Sequence, residues 1–460
     1  MFGLRFMERD MAGEFSAMIS AKTSQVDRKI FSDEEIFREE QRRIFAKAWI
    51  FVGHESQIPN AGDYFLSRMG IDPVILVRDK SGSIGVFHNS CRHRGMRVCR
   101  YDAGNTRLFT CSYHGWSFGI DGKLVGVPGM KEGYCNKLDK SEWGLIPVAK
   151  IANYKGAIWA TWDADAVSLE EYLGDMRYML DLALDSHDGT EGGSEVSIGV
   201  QKWTIPSNWK LSAENFIGDL YHNISHRSVD MVGIGPEGTS QRRDEGFINN
   251  ATLVSVGFHE RGHGGINVYL PPEYVDARPY PGEIGEWFRA ADKARKDRLG
   301  ENACILGGVG TVFPNMSFRA NQPRQIIVWN PVSATETEVW SWYLFDAKSP
   351  DSVKAFMREY ALRYCGPAGM TERDDMENWQ GATEGSVGGV VESFPYNYAY
   401  NLADDEQPFE ALPNLPYAKN AVIGATEGNA RGFYRQWSIW MDATNWDEIR
   451  REQMKIKGRI

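Results

Sequence analysis

Several features that would assign this chain to a broad class are missing from its 460 residues. No apolar run approaches the roughly 20 residues that a membrane-spanning helix needs. The first 18 residues carry charges throughout and lack a continuous apolar core, so we expect no signal peptide. A formal net charge of −11 argues against nucleic acid as the main partner, because phosphate binding needs a basic surface. We therefore expect a cytoplasmic globular protein.

Cysteine is also scarce, and the few residues present are unevenly placed. The six cysteines are at positions 91, 99, 111, 135, 304 and 365. In a cytoplasmic protein such residues are not expected to form a disulfide framework. Clustered cysteines then indicate metal ligands or reactive thiols.

Hydrophobic patterning predicts a β-rich unit near the front of the chain. Residues 29–48 have the pattern of an amphipathic helix, capped near Ser32. Between about 50 and 165, short β-rich runs alternate with Gly, Asn and Asp, which is typical of a small all-β unit. Asp121-Gly122 predicts a hairpin turn inside it.

The rest of the chain predicts mixed α and β structure. Helices are expected at 168–185, within 203–235, at 350–382 and at 431–443, strands dominate 250–345, and 383–432 is expected to be loop. The fold class is therefore α+β, with an all-β domain (48–165) inserted in a larger domain formed by residues 1–47 and 166–460.

A first group of metal-ligand residues lies inside the β unit. One residue separates Cys91 from His93, and two residues separate Cys111 from His114. The 17 residues 94–110 lie between the two pairs. Two Cys and two His can hold a tetrahedral zinc ion or a Rieske [2Fe–2S] cluster. Zinc fingers usually supply a Cys pair and then a His pair. Here each loop supplies one of each, which favours the two-iron cluster.

A second group of ligand types lies in the string "NWKLSAENFIGDLYHNISH" at 208–226. His222 and His226 are at i and i+4, so on a regular helix they share one face, and Asp219 lies on that face as well. Two His and one carboxylate form the facial triad of non-haem Fe(II) oxygenases. Asp374 and Asp375 on a later predicted helix can supply the carboxylate. The acid pair is equally typical of a solvated helix face.

These strings resemble a known family. "CRHRG" with "CSYHGW", "NWKxxxENFxGDxYH", "GPAGxxExDDxxN" and "RGFY" are similar to the large (alpha) subunit of naphthalene-dioxygenase-like Rieske aromatic-ring-hydroxylating dioxygenases, over roughly residues 30 to 445. The resemblance implies a Rieske domain inserted in a catalytic domain of the helix-grip, START-like type. Such a domain has an antiparallel sheet flanked by helices.

The resemblance also implies roles for individual residues. Cys91, His93, Cys111 and His114 would bind the cluster, and His222, His226 and Asp375 would bind a mononuclear Fe(II) ion. Asp219 would bridge to His114 of a neighbouring subunit, and Asn215 would lie next to the iron. One departure is that three residues separate His222 from His226, whereas the family pattern has four or more.

The implied reaction adds both atoms of O₂ to one face of an aromatic ring and yields a cis-dihydrodiol. By the same resemblance, electrons would come from NADH through a separate reductase, a ferredoxin or both. The resemblance implies a trimer, with a small beta subunit in an α₃β₃ assembly.

The substrate is less well defined by the sequence. By resemblance the pocket is mostly apolar and includes Phe216 and Leu220, which suits a mono- or polycyclic hydrocarbon. Arg319 and Arg324 could instead clamp the carboxylate of an aromatic acid such as a phthalate, or lie on an exposed hairpin.

Two other functions fit the same ligand strings. One is a Rieske monooxygenase or demethylase. The other is an electron-transfer or zinc-stabilised binding module, which would hold two irons or one zinc per chain against three irons for an oxygenase.

Overall fold

The computed structural model describes residues 13–197, 199–232, 251–271, 280, 282–402 and 421–457. Three sequence predictions fall partly outside these ranges. They concern residues 1–12 of the N-terminal stretch, residues 233–235 of a predicted helical region and residues 403–420 of the predicted loop. None of the helices within them is both long and apolar enough to cross a lipid bilayer.

The described helices lie mostly outside the β unit. In chain order they are α1 Glu34–Glu40, α2 Leu169–Leu173, α3 Met176–Leu184, α4 Trp209–Phe216, α5 Arg227–Val232, α6 Gly282–Leu299, α7 Asp351–Tyr364, α8 Met370–Glu384, α9 Gly428–Asp442 and α10 Trp446–Lys457.

The strands fall into three stretches of the chain. The first stretch contains β1 Ile19–Ser20 and β2 Gln25–Val26. The second contains β3 Ile50–His54, β4 Asp63–Met69, β5 Asp72–Arg78, β6 Ile84–His88, β7 Ala103–Asn105, β8 Leu108–Thr110, β9 Ser117–Gly119, β10 Leu124–Gly126, β11 Lys150–Tyr154 and β12 Ala157–Thr161. The third contains β13 Ser194–Val196, β14 Gln201–Ile205, β15 Thr252–Phe258, β16 His263–Tyr269, β17 Ile305–Val312, β18 Met316–Arg319, β19 Gln325–Ser333, β20 Glu336–Asp346, β21 Tyr396–Asn397 and β22 Ala421–Ile423.

The second stretch forms the β unit that the sequence predicts. Its antiparallel sheets have the orders β6-β5-β4-β7, β11-β12-β3 and β10-β9-β8. Asp121-Gly122 turns the chain between β9 and β10, as predicted. A hydrophobic cluster that includes Ile75 and Phe118 also contains the buried Cys91 and Cys111. The ligand loops are therefore supported by a core of their own.

The larger part of the chain is built on one antiparallel sheet. Its strand order is β13-β20-β19-β18-β17-β16-β15-β22, and β14 pairs with β20. Helices α3, α4 and α9 pack against it. The short strands β1 and β2 pair with β21, so the residues before the β unit return to this part of the molecule. The α+β class with an antiparallel sheet and flanking helices is confirmed.

Several predicted elements differ from the structure, among them the helix expected at 350–382, which is divided into α7 and α8 between Tyr364 and Met370. The first helix begins at Glu34 and is capped by Asp33, whose side chain accepts from the amides of Glu35 and Ile36, rather than near Ser32. The helix expected at 168–185 is broken into α2 and α3 at Gly174. Helix α6 lies where strands were expected to dominate. Finally, residues Tyr221–His226 form a 3₁₀ helix rather than a regular α-helix.

Candidate metal centres

The first centre lies at the tips of two loops with the same backbone design. Cys91 N donates to the carbonyl of Met96 and Gly95 N donates to that of Cys91; Cys111 N donates to Trp116 and Gly115 N to Cys111, all at 2.8–2.9 Å. Gly95 and Gly115 have φ of +72° and +74°, a left-handed conformation that other residues rarely adopt. The same type of turn therefore carries the Cys–His pair of each loop.

The four predicted ligands of this centre separate by type. The Cys91 and Cys111 thiols are adjacent and buried, and burial raises the pKa of Cys91. The His93 and His114 rings lie 4.5 Å apart, centroid to centroid, nearer the surface. The buried Nδ1 of His93 has no hydrogen-bond partner. Two thiols on one side and two imidazoles on the other fit a Rieske cluster, in which each iron takes one ligand type.

The second centre brings together three ligand atoms from α8 and the 3₁₀ helix. His222 Nε2 lies 3.1 Å from His226 Nε2, and Asp375 Oδ1 lies 3.3 and 3.2 Å from those two atoms. Two cis ligands that each lie about 2.1 Å from an octahedral metal ion are about 3.0 Å apart. The triangle therefore has the size that one facially coordinated ion requires, despite the short spacing between the histidines.

The electrostatics of the second centre favour a bound cation. Burial disfavours a charged ring, yet the carboxylates of Asp219 and Asp375 raise the pKa of His222 to about 10. Burial likewise favours a neutral acid, yet His222 and His226 lower the pKa of Asp375. Among the described residues, this is the group of His, Cys and acidic side chains whose ligand atoms converge within 4.8 Å of one another. Its donor set suits non-haem iron.

Two family models match the chain, one on each centre. The Rieske [2Fe-2S] domain matches residues 48–154, and the ring hydroxylating alpha subunit (catalytic domain) matches residues 170–443. The chain belongs to the ring-hydroxylating dioxygenase alpha subunits. It is an oxidoreductase, and the cofactors of this family's two domains are a Rieske [2Fe–2S] cluster and a mononuclear iron.

Similar proteins span nearly the full length of this alpha subunit. Chlorobenzene dioxygenase subunit alpha of Cupriavidus sp. (strain PS12) is 38% identical, covering 95% of each chain. Biphenyl dioxygenase subunit alpha of Paraburkholderia xenovorans (strain LB400) is 36% identical, covering 94% of each chain. The solved structure of naphthalene 1,2-dioxygenase with indole bound in the active site matches with a TM-score of 0.82 at 30% identity, covering 96% of this chain and 97% of that one.

Each histidine of the second centre has a carboxylate behind it. Asp219 Oδ2 lies 3.4 Å from His222 Nδ1, and Asp374 Oδ2 lies 3.6 Å from His226 Nδ1. Carboxylates in this position orient the rings of metal-binding histidines. Sequence reasoning treated Asp374 only as an alternative to Asp375. Because both acids lie on α8 beside the histidines, the pair in "RDDM" was the signal for both roles.

The remaining predicted site residues occupy different places around this centre. Asn215 lies near the end of α4, and its carbonyl accepts from Asp219 N at 3.2 Å. Phe216 is buried, with ring centroids 5.5 Å from Trp329 and 6.4 Å from Trp379. Leu220 is half-buried and caps the 3₁₀ helix.

Both arginines of the proposed carboxylate clamp are buried, so the interpretation as an exposed hairpin is wrong. Arg324 pairs with Asp346 at 2.7 Å and donates to the carbonyls of Ala183 and Asp185. The guanidinium of Arg319 lies 5.1 Å from the centre of the Tyr364 ring, and its buried Nε has no hydrogen-bond partner. Burial opposes its charge, but neighbours that include Glu372 raise the pKa of Arg319.

Glu214 is a further polar residue that sequence reasoning missed. Its carboxylate accepts hydrogen bonds from the hydroxyls of Tyr398, at 2.8 Å, and Tyr434. Burial raises the pKa of Glu214 to about 8, with Asp219 acting in the same direction. The motifs "ENF" and "RGFY" contain two of these residues, but nothing in their spacing indicates that they meet.

Proposed function

We propose that this chain is the terminal oxygenase subunit of a multicomponent dioxygenase that adds both atoms of O₂ to an aromatic hydrocarbon and yields a cis-dihydrodiol. The observation that carries the proposal is the triangle of His222 Nε2, His226 Nε2 and Asp375 Oδ1, with sides of 3.1–3.3 Å. We assign these three residues as iron ligands. We assign the two Cys–His loops to the cluster: Cys91, His93, Cys111 and His114.

The chain's own residues prepare the iron site. Fe(II) bound by this triad would keep positions open for O₂ and substrate, while the cluster would supply electrons one at a time. The carboxylates of Asp219 and Asp374 lie 3.4 and 3.6 Å from the Nδ1 atoms of His222 and His226, so their charge favours a proton on Nδ1 and leaves both Nε2 atoms for the metal. Asp375 is 3% exposed, so water has little access to its carboxylate, which faces the two histidines.

Electron delivery is proposed to occur between subunits. His114 lies at the surface, whereas Asp219 has a side chain that is 37% exposed while it contacts His222. Each of these two residues is accessible to solvent. His114 belongs to the first centre, and Asp219 contacts a histidine of the second. We assign Asp219 of one alpha subunit and His114 of the next as the bridge, in an α₃β₃ assembly of three alpha and three small beta subunits.

The substrate class is proposed to be apolar. Trp379 lies one helical turn after Asp375 on α8 and packs with Phe216 and Trp329 in an aromatic wall. Arg324 pairs with Asp346 at 2.7 Å and donates to two main-chain carbonyls, and Arg319 lies 5.1 Å from the centre of the Tyr364 ring. These contacts favour an aromatic hydrocarbon over an aromatic carboxylate. The names of the chlorobenzene and biphenyl dioxygenase relatives support the same choice.

The reaction itself tests the proposal. The chain would be co-expressed with a beta subunit and supplied with NADH, a reductase and a ferredoxin, the partners proposed for it. With ¹⁸O₂ and biphenyl or chlorobenzene, we expect a dihydrodiol that carries two labelled oxygens. His222→Ala should abolish the product while the Rieske spectrum is kept.

Other outcomes would contradict the proposal in recognisable ways. A product with a single labelled oxygen, or loss of an N-methyl group, would indicate a monooxygenase. Two irons and two sulfides per chain, rather than three irons, would contradict the mononuclear site. Preferential conversion of phthalate, lost in Arg319→Leu, would overturn the assignment of an apolar substrate.

A further inference from the structure

The string "RGFY" at 431–434 has no role in the proposed chemistry, although it lies at the start of helix α9. Polar side chains in the first turns of α9 form hydrogen bonds with two segments of the chain that lie next to the iron ligands. Arg431 and the N-cap Glu427 hold the segment 398–401. Asn429 and Tyr434 hold the end of α4.

Arg431 fixes the segment 398–401 through its carbonyls. Its NH1 donates to the carbonyls of Tyr398 and Tyr400, at 2.8 and 3.0 Å, and its NH2 donates to that of Asn401 at 2.9 Å. On the other side, the carboxylate of Glu427 accepts from the amide of Tyr400 at 2.7 Å. A lysine carries its three N–H donors on one nitrogen, whereas Arg431 uses two nitrogens of a planar fork, so a lysine cannot match the positions of all three carbonyls.

The held segment contacts the 3₁₀ helix through one aromatic pair. The rings of Tyr400 and Tyr221 are stacked, with centroids 4.4 Å apart and planes 24° from parallel. Tyr221 is the first residue of the 3₁₀ helix and directly precedes His222. It is 61% exposed, so the stack covers one face of a ring that is otherwise open to solvent.

The same helix start fixes the chain just before Asp219. Asn429 Nδ2 donates to the carbonyl of Ile217 at 2.9 Å and to that of Val256 at 3.1 Å, which ties the end of α4 to strand β15. Tyr434 donates to Glu214 on α4. Helix α9 therefore holds Glu214 and Ile217 directly and supports Tyr221 through segment 398–401, and His222 follows Tyr221.

We propose that Arg431 is a positioning residue for the mononuclear iron site, acting through Tyr400 and Tyr221 on the placement of His222. This inference rests on the proposed function for the identity of the metal, but not for the contacts. Loss of the Arg431 fork would let segment 398–401 move, remove the support of Tyr221 and displace His222. The Rieske centre, which lies on other strands, should not respond.

Two pairs of variants test the inference. Arg431→Lys should lose the fork, with Arg450→Lys as the matched control, since Arg450 forms a surface ion pair with Glu171. Tyr400→Leu should lose the stack, whereas Tyr400→Phe keeps the ring. Loss of a group that contacts a metal ligand directly typically costs about 10–100-fold in metal affinity or activity. Because Arg431 and Tyr400 act through Tyr221, we expect Arg431→Lys and Tyr400→Leu to weaken Fe(II) binding by about tenfold, the lower end of that range. Arg450→Lys and Tyr400→Phe should match wild type.

The measurements separate this inference from the proposed function. Equilibrium dialysis against Fe(II), hydrogen exchange of the peptide 217–226 and the Rieske EPR signal require no turnover. Weaker Fe(II) binding and faster exchange with an unchanged Rieske signal support the inference, even if no dihydrodiol forms. Unchanged Fe(II) binding and exchange in Tyr400→Leu would overturn it, and that variant suffices if Arg431→Lys does not fold. Equal effects of Tyr400→Phe and Tyr400→Leu would overturn it as well.

Discussion

Single residues near the iron site show how buried charges are balanced. His222 and His226 each lie between Asp375 on one side and a second carboxylate on the other. With neutral imidazoles, the three carboxylates carry three negative charges, of which a divalent cation would offset two. Carboxylates placed behind metal-binding histidines favour one orientation of the rings, which is the role we expect for Asp219 and Asp374.

Asp374→Asn should weaken Fe(II) binding by about 10–100-fold, because the amide no longer offers a charged acceptor to His226 Nδ1. Equilibrium dialysis after chelation of the native metal measures the effect. Glu377→Gln is the matched control, since Glu377 lies on the same helix and is exposed. Equal affinities of the two variants would mean that Asp374 is only a surface acid.

The raised pKa of Glu214 predicts a pH-dependent stability. The folded chain keeps this carboxyl protonated up to about pH 8, whereas the unfolded chain releases the proton near pH 4.5. The native state therefore binds more protons in this window, and stability falls as the pH rises. Relative to Glu214→Gln, the wild-type Tm should decline between about pH 5 and about pH 8. Parallel curves would contradict the shift.

At the scale of elements, the two ligand loops have one backbone conformation but different surroundings. A Cβ on Gly115 would lie 2.9 Å from Pro128 Cγ, whereas a Cβ on Gly95 would lie 3.9 Å from Ser90 Oγ as its nearest neighbour. Both positions have positive φ, so a substitution at either one strains the backbone. Only a substitution at Gly115 would also clash with a neighbouring side chain.

Gly115→Ala should therefore lose more cluster than Gly95→Ala. Labile sulfide per chain and the intensity of the Rieske EPR signal measure cluster content. The comparison removes the contribution of φ, since the two angles differ by only 2° (74° minus 72°). Similar losses in both variants would show that backbone strain, rather than contact with Pro128, limits cluster assembly.

At the scale of the whole molecule, the residues before the β unit are bound to the larger part of the chain. Glu40 and Lys210 form an ion pair of 2.6 Å in which neither side chain is exposed. The indole nitrogens of Trp209 and Trp437 donate to the same carboxylate. This buried group joins α1, α4 and α9, which lie far apart in sequence.

Glu40→Gln should destabilise the chain by about 3–5 kcal/mol, because it leaves the ammonium of Lys210 buried without a counter-charge. The double variant Glu40→Gln with Lys210→Met should recover much of that loss. Denaturant unfolding followed by tryptophan fluorescence measures both. Additive losses in the double variant would contradict a coupled pair.

The proposed bridge between subunits predicts complementation in mixed trimers. A chain with Cys111→Ser should lack the cluster, and a chain with His222→Ala should lack the mononuclear iron. Each homotrimer should be inactive, whereas co-expressed chains should form dihydrodiol, because an intact cluster can face an intact iron site. Adding Asp219→Asn to the Cys111→Ser chain should abolish this recovery. Inactive mixed trimers would contradict electron transfer between subunits.

The sequence by itself determined the features that depend on residue type and local spacing. The alternating runs predict the β unit, because strand periodicity is a local property. The Cys–His pairs indicate a metal centre with zinc or iron–sulfur as alternatives, and the resemblance to the dioxygenase family favours the cluster. The string at 208–226 likewise indicates an iron triad from its donor types. The carboxylate remained open between Asp374 and Asp375 until the resemblance favoured the second.

Only the tertiary structure decided which distant side chains meet. Arg319 and Arg324 flank the polar connection "RANQPR", which is typical of an exposed hairpin, yet both are buried. Arg319 ends β18, a central strand of the large sheet, and Arg324 packs against Asp346 and the carbonyl of Asp185. Glu214 meets Tyr434 across 220 residues, and Arg431 holds residues 398–401 beside Tyr221. Such contacts leave no periodic signal, since they depend on how whole elements pack, and local sequence restrains only residues within a few positions of one another.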